Sequence, residues 1–149
     1  MTPRILIVDD HEIVREGIRT LLSRSRPQWE IVGEATNGQL AIEAVRNLKP
    51  DVVILDVTMP VMSGLEAAPR ILALGMETRI LFFTMHQSET FVSEVRSAGA
   101  QGYVVKSQAS RDLILAIDSL LGGGTFFSPS DIPSNGGSIP IGGAPIRSR

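Results

Sequence analysis

The sequence predicts a doubly wound α/β sandwich, and three observations carry that expectation. Five short apolar runs alternate along the chain with five stripes of helical period. The runs are rich in Val, Ile, Leu and Phe with little polar alternation, as in strands buried on both faces of a parallel sheet. Polar residues capable of chemistry stand at the ends of the runs, not inside them. Five β-then-α units joined by right-handed crossovers give one parallel sheet with helices on both faces.

The first run is Arg4 to Val8, and Val14, Ile18, Leu21 and Leu22 make the helical stripe that follows it. The second strand centres on Ile31 and Val32, opened by Trp29 as a packing residue, and leads to the stripe Ala41, Ala44, Val45 and Leu48. Lys49-Pro50-Asp51 stops that helix ahead of the third strand, Val52 to Leu55. The third stripe, Leu65, Ala68 and Leu72, contains Pro69, which is expected to kink or shorten its helix. Ile80 to Phe83 is the fourth strand, followed by Val92, Val95 and Ala98, with Gly99 as the stop signal. Tyr103 to Val105 is the fifth strand, before Leu113, Ile114, Ile117, Leu120 and Leu121. All five stripes follow the 3.6-residue period, and Met85 is grouped with the core or near-core packing. Gly122-Gly123-Gly124 ends the periodic region, and from Ser128 to Arg149 the chain is mostly Ser, Pro, Gly and Ile without period. The expected division is a folded domain over 1–124 and a flexible linker or tail over 125–149.

Composition narrows the function classes. With 149 residues, 43% hydrophobic and 20% charged, the chain suits one ordinary globular core plus a short extension. The absence of cysteine excludes disulfides and thiolate metal sites. The apolar run after Met1-Thr2-Pro3-Arg4 is too short for a signal peptide or a membrane span, so a cytoplasmic location without membrane contact is expected. Net charge is −2 with scattered Lys and Arg, which gives specific nucleic-acid binding by this chain alone little electrostatic support.

In parallel α/β sheets, ligands gather outside the carboxyl ends of the strands. Asp9 and Asp10 close the first strand here, Asp56 the third and Thr84 the fourth, while Lys106 follows the fifth. Three carboxylates brought together repel, and one stays protonated unless a cation offsets the charge. A hard divalent cation with oxygen ligands does so, and Mg²⁺ suits a site where carboxylates share the metal with a phosphoryl group.

The segments Ile5-Leu6-Ile7-Val8-Asp9-Asp10-His11, Asp51 to Pro60 with Gly64, Ile80 to Met85, and Gly102-Tyr103-Val104-Val105-Lys106 resemble the response-regulator receiver (CheY-like) family over residues 4 to about 121. Gly102 to Ser107 and Gly123 to Pro129 are similar to its NarL/FixJ (LuxR-type) subfamily. The resemblance implies a flavodoxin-like five-stranded sheet of order 2-1-3-4-5. It implies Asp56 as the nucleophile that takes a phosphoryl group from a sensor histidine kinase. Asp10 and Asp56 would bind Mg²⁺ directly, Asp9 through a water, and the Thr58 backbone carbonyl would add a ligand. Lys106 and Thr84 would meet the phosphoryl oxygens, and Tyr103 would be the aromatic that turns inward on switching. The face of the fourth helix, fifth strand and fifth helix would then change, favouring a homodimer. Thr58 and His86 border the phosphoryl position and would tune its removal by water.

Plainer readings stand beside these. Asp9 or Asp10 can cap the first helix, His11 reads as a solvated first-turn residue, and His86 as an exposed loop residue. Tyr103 can be an amphipathic aromatic at the sheet edge. Two features depart from the family pattern. Ser107 stands where many receivers have proline, and the helix-turn-helix output domain of NarL-type regulators is absent from this sequence. Two other functions compete with a phospho-accepting switch that is not itself an enzyme. One is a receiver-like module that binds partners without phosphorylation, which the complete Asp9, Asp10, Asp56, Thr84 and Lys106 set argues against. The other is a nucleotide- or flavin-binding enzyme, which would need a Gly-rich loop where Asp9-Asp10-His11-Glu12 stands.

Overall fold

The computed structural model describes residues 2–85 and 89–127, Glu89 by its backbone alone. The elements are β1 (Arg4–Val8), α1 (Glu12–Ser25), β2 (Glu30–Ala35), α2 (Gly38–Leu48), β3 (Val52–Leu55), α3 (Gly64–Leu72), β4 (Arg79–Thr84), α4 (Glu89–Ser97), β5 (Gly102–Val105), α5 (Ala109–Leu121) and β6 (Phe126–Phe127). All strand pairs are parallel, in the order β2-β1-β3-β4-β5-β6. The first five therefore take the expected order 2-1-3-4-5. The addition is β6, two residues paired beside Gly102 and Tyr103. It extends the sheet into the 125–149 segment expected to be a linker or tail; the rest of that segment, 128–149, lies outside the described residues.

Strand side chains alternate strictly between two cores. Leu6, Val8, Val53, Leu55, Ile80, Phe82, Tyr103 and Val105 face one way, onto residues of α2, α3 and α4. Ile5, Ile7, Val52, Ile54, Leu81, Phe83 and Val104 face the other, onto α1 and α5. This is why the runs look continuously apolar: the period of two survives, but both faces are covered. Burial of each such side chain is worth about 1.5–3 kcal/mol, whereas α3 and α4, at nine residues each, are too short to persist alone. Packing on the sheet holds them.

Local chemistry sets the ends. The Asn37 side chain accepts the Leu40 N–H at 2.9 Å and starts α2. Lys49 ends it in the left-handed region (φ 50°), and Arg4 donates to the carbonyls of Leu48 and Lys49 there. Ser63 and Glu66 form a reciprocal capping box on α3. Pro69 stays within α3, which ends three residues later, consistent with the expected shortening. Among the described residues, no helix is long and apolar enough to cross a membrane.

The loop after β3 is packed tightly from behind. A Cβ on Gly64 would stand 2.0 Å from the Asp56 carbonyl oxygen and 3.1 Å from the Phe82 ring. A Cβ on Gly17, exposed on α1 at the open groove toward α5, would meet nothing within 4 Å. Urea unfolding should therefore separate two Gly→Ala changes by sign. Gly17→Ala should stabilise by about 0.5–1 kcal/mol through helix propensity. Gly64→Ala should destabilise by about 2 kcal/mol or more, because backbone must move.

Candidate functional site

The chain crosses from β1 outward to β2 and then back past β1 to β3, so the strand order reverses beside β1. That reversal opens a crevice at the carboxyl edge of β1 and β3. Asp9 continues β1 and is fully buried; its N–H donates to the Ala35 carbonyl of β2 at 3.0 Å. Asp56 continues β3, and its N–H donates to Val8 at 3.0 Å, so adjacent strands fix the two carboxylates relative to each other. Thr84 ends β4, and Lys106 begins the short 3-10 turn after β5. A cleft of about 210 Å³ is lined by Asp10, His11, Asp56, Thr58, Thr84, Met85 and Lys106.

The Lys106 ammonium organises the floor. Its Nζ lies 2.8 Å from Asp9 Oδ2 and 3.4 Å from Asp56 Oδ2. Asp56 Oδ1 accepts the Val57 N–H at 2.8 Å. Asp9 Oδ1 accepts the His11 N–H at 2.9 Å in a turn ahead of α1, whose N-cap residue is His11 and not Asp9, and this carboxylate faces the site. Asp10 is different. Its Oδ1 is buried and has no hydrogen-bond partner, although His11 Nδ1 stands 3.2 Å away.

Ligand atoms of Asp9, Asp10, His11 and Asp56 all lie within 4.8 Å of one another. Lys106 offsets one carboxylate and leaves excess negative charge. Burial pushes the Asp56 carboxyl up to about 6 and the Asp9 charge adds to this, against the opposing pull of Lys106 and the Val57 N–H. A hard cation would satisfy the orphaned Asp10 oxygen and relieve the repulsion together, so the donor set fits Mg²⁺.

Asp9, Asp10, Asp56, Thr84, Lys106 and the exposed Thr58 thus meet around one cleft. Tyr103 does not line it; the ring is wholly buried, tilted 58° to Phe91 of α4 with centroids 5.8 Å apart. It is no sheet-edge aromatic, because β6 lies outside β5. His86 lies outside the described residues. One reading needs correction. Met85 is 80% exposed on the cleft wall, because it follows the last residue of β4 and leaves the core. His11 is exposed at the start of α1 as expected, and its Nδ1 also approaches Asp9 and Asp10 oxygens at 3.3 and 3.2 Å. Arg15 was not legible as part of the surroundings, yet it donates to the Asp9 carbonyl at 2.8 Å. Its spacing of four from His11, one helical turn, was the available signal.

Comparison with known proteins places this geometry. Residues 5–118 match the family model described as the response regulator receiver domain. The chain is 35% identical to the nitrate/nitrite response regulator protein NarL of Escherichia coli (strain K12) over 129 residues, 87% of this chain and 59% of that protein. It spans between half and three-fifths of the length of the curated relatives it matches. A LuxR-family two-component response regulator from Aurantimonas sp. SI85-9A1 superposes with a TM-score of 0.83 at 43% identity, covering 88% of this chain and 93% of that one. A structure of two RcsB dimers bound to two parallel DNAs gives a TM-score of 0.79 at 28% identity, over 88% of this chain and 66% of RcsB.

The raised Asp56 carboxyl has a measurable sign. The folded protein binds this proton more tightly than the unfolded chain does. The resulting stability is fully present below pH 4, is lost as pH rises toward about 6, and stays lost above. Asp56→Asn should therefore stabilise the metal-free protein at pH 7.5 by about 1–3 kcal/mol, two pKa units corresponding to roughly 3 kcal/mol. The gain should vanish near pH 3.5. Denaturant melts in EDTA at both pH values check this, and equal gains at the two would contradict it.

Proposed function

The chain belongs to the response-regulator receiver family, and on that premise we propose that it is a Mg²⁺-dependent phospho-accepting switch whose acceptor is Asp56. The observation that carries this reading is the cleft itself. It holds a buried carboxylate, a lysine 3.4 Å from it, and a neighbouring buried carboxylate oxygen without a hydrogen bond. Asp10 and Asp56 would hold the cation directly, Asp9 through a water, with the Thr58 backbone carbonyl as a further ligand. Bound there, Mg²⁺ would supply charge neutralisation at the phosphoryl oxygens and hold the Asp56 carboxyl in its ionised form.

The residues supply the rest. An Asp56 carboxylate oxygen forms the new bond to phosphorus as the bond to a kinase phosphohistidine nitrogen breaks. The phosphoryl group brings roughly −1.5 to −2 charge into the cleft. Lys106 can turn from Asp9 to a phosphoryl oxygen, and the Thr84 hydroxyl can donate to another. Thr58 and His86 would set how fast water reaches the product. Movement of Thr84 and Lys106 draws on the loops after β4 and β5, and Tyr103 with Phe91 carries that strain to α4. The α4–β5–α5 face is then the output surface, used for a homodimer and, in a longer protein, for transcriptional control. This chain alone is not expected to bind DNA specifically. We place the receiver's boundary after Phe127 instead of residue 124, because β6 completes the sheet. The partner is a sensor histidine kinase, the location cytoplasmic, and the role a switch and not a turnover enzyme.

Acetyl phosphate with Mg²⁺ should add one phosphoryl mass to the wild type. Asp56→Asn should gain none, and EDTA should abolish the gain. Labelling of Asp56→Asn to the wild-type extent would overturn the assignment. Sedimentation with beryllofluoride and Mg²⁺ should show a heavier species than without, and an unchanged mass at high concentration would count against dimerisation.

A further inference from the structure

Between β1 and α1 lie only Asp9, Asp10 and His11, so the acidic loop is short and its backbone decides where its carboxylates stand. One side of it is fixed by the sheet, through the Asp9 N–H to the Ala35 carbonyl at 3.0 Å. The other is held by a side chain. Arg15 Nη1 donates to the Asp9 carbonyl at 2.8 Å, while Nε of the same guanidinium donates to Glu34 Oε1 at 2.7 Å. Arg19, one turn further along α1, pairs with the other Glu34 oxygen. Burial works against ionisation of Glu34, but the two guanidinium groups outweigh it and hold its carboxyl below the usual range. Glu34 therefore stays charged at neutral pH. Both backbone polar groups of Asp9 are thus tied to β2, one directly at Ala35 and one through Arg15 to Glu34.

We propose that Arg15, clamped by Glu34, is a positioning residue for the divalent cation: it fixes the Asp9–Asp10 peptide and so the place of the unpartnered Asp10 Oδ1. This rests on Asp56 being a Mg²⁺-dependent phosphoryl acceptor. The need for such an anchor is electrostatic. Three carboxylates whose oxygens lie within 4.8 Å push the loop outward whenever the cation is absent. A guanidinium is suited to resist this, because its donors form a rigid planar fork that meets a carbonyl and a carboxylate at once. The Arg15 side chain is only 14% exposed, so solvent screens these contacts less than it would a surface pair.

Charge and geometry make opposite demands on this residue, which allows them to be told apart. As a nearby positive charge, Arg15 disfavours a cation, so its removal would tighten Mg²⁺ binding. As an anchor it pre-shapes the loop, so its removal would weaken binding. NMR titration of the whole ¹⁵N-labelled chain with MgCl₂ follows the amides of Asp9, Asp10, His11 and Val57. Arg15→Gln should weaken Mg²⁺ by roughly 3- to 10-fold, less than the 10- to 100-fold usual for partners that contact a ligand side chain. Arg15→Lys, which keeps the charge without the fork, should weaken it in the same direction. The Arg15→Gln/Glu34→Gln double variant should be no weaker than Arg15→Gln alone, since both act through one anchor. Unchanged or tighter Mg²⁺ binding in folded Arg15→Gln overturns the proposal; if that variant unfolds, the same result in Arg15→Lys does so. A wild type without saturable Mg²⁺ shifts would instead remove the Mg²⁺ reading itself, and that arm alone reports it.

Discussion

One ammonium group sits where the fold would otherwise repel itself. Lys106 Nζ stands between the Asp9 and Asp56 carboxylates, which β1 and β3 deliver side by side from beneath. The strands cannot separate these carboxylates without breaking the Val8–Asp56 ladder bond. Lys106, arriving from β5 two strands away, is what makes the arrangement tolerable. The balance is deliberately incomplete, because one lysine faces three carboxylates. A site with this excess of negative charge is one that a bound cation would relieve.

The cleft is tightly backed behind Asp56 and open to solvent in front. Buried strands, the capping box on α3 and the tight approach of Gly64 to Asp56 leave that residue little freedom. Exposed Thr58 and Met85 stand on the open side. In-line phosphoryl transfer, as proposed for Asp56, would benefit from such a fixed floor and open rim.

Legibility in the sequence followed burial. β1 and β3 could be read to the residue because both faces are covered and only apolar side chains are tolerated. β2 was blurred because it is an edge strand, with Glu30 and Glu34 exposed and Ile31, Val32 and Gly33 only half buried. β6 escaped because two residues have no measurable period and Ser and Pro follow them. The acidic residues and Lys106 were visible as strand ends. Arg15 was not, since its contact with Asp9 exists only once α1 has made its first turn.

Strand β6 fixes a direction as well as an edge. It runs parallel to β5, with Phe127 level with Tyr103 and stacked beneath the Arg96 guanidinium of α4, 3.8 Å from the ring centroid. Strand β6 therefore points toward the rim that carries Asp56, not toward the opposite end of the sheet. Its last residue is at once the neighbour of the buried tyrosine and the ring beneath α4. In mechanical terms, Phe127 and α4 share one contact, so a load on that strand end bears directly on the helix that touches the buried tyrosine.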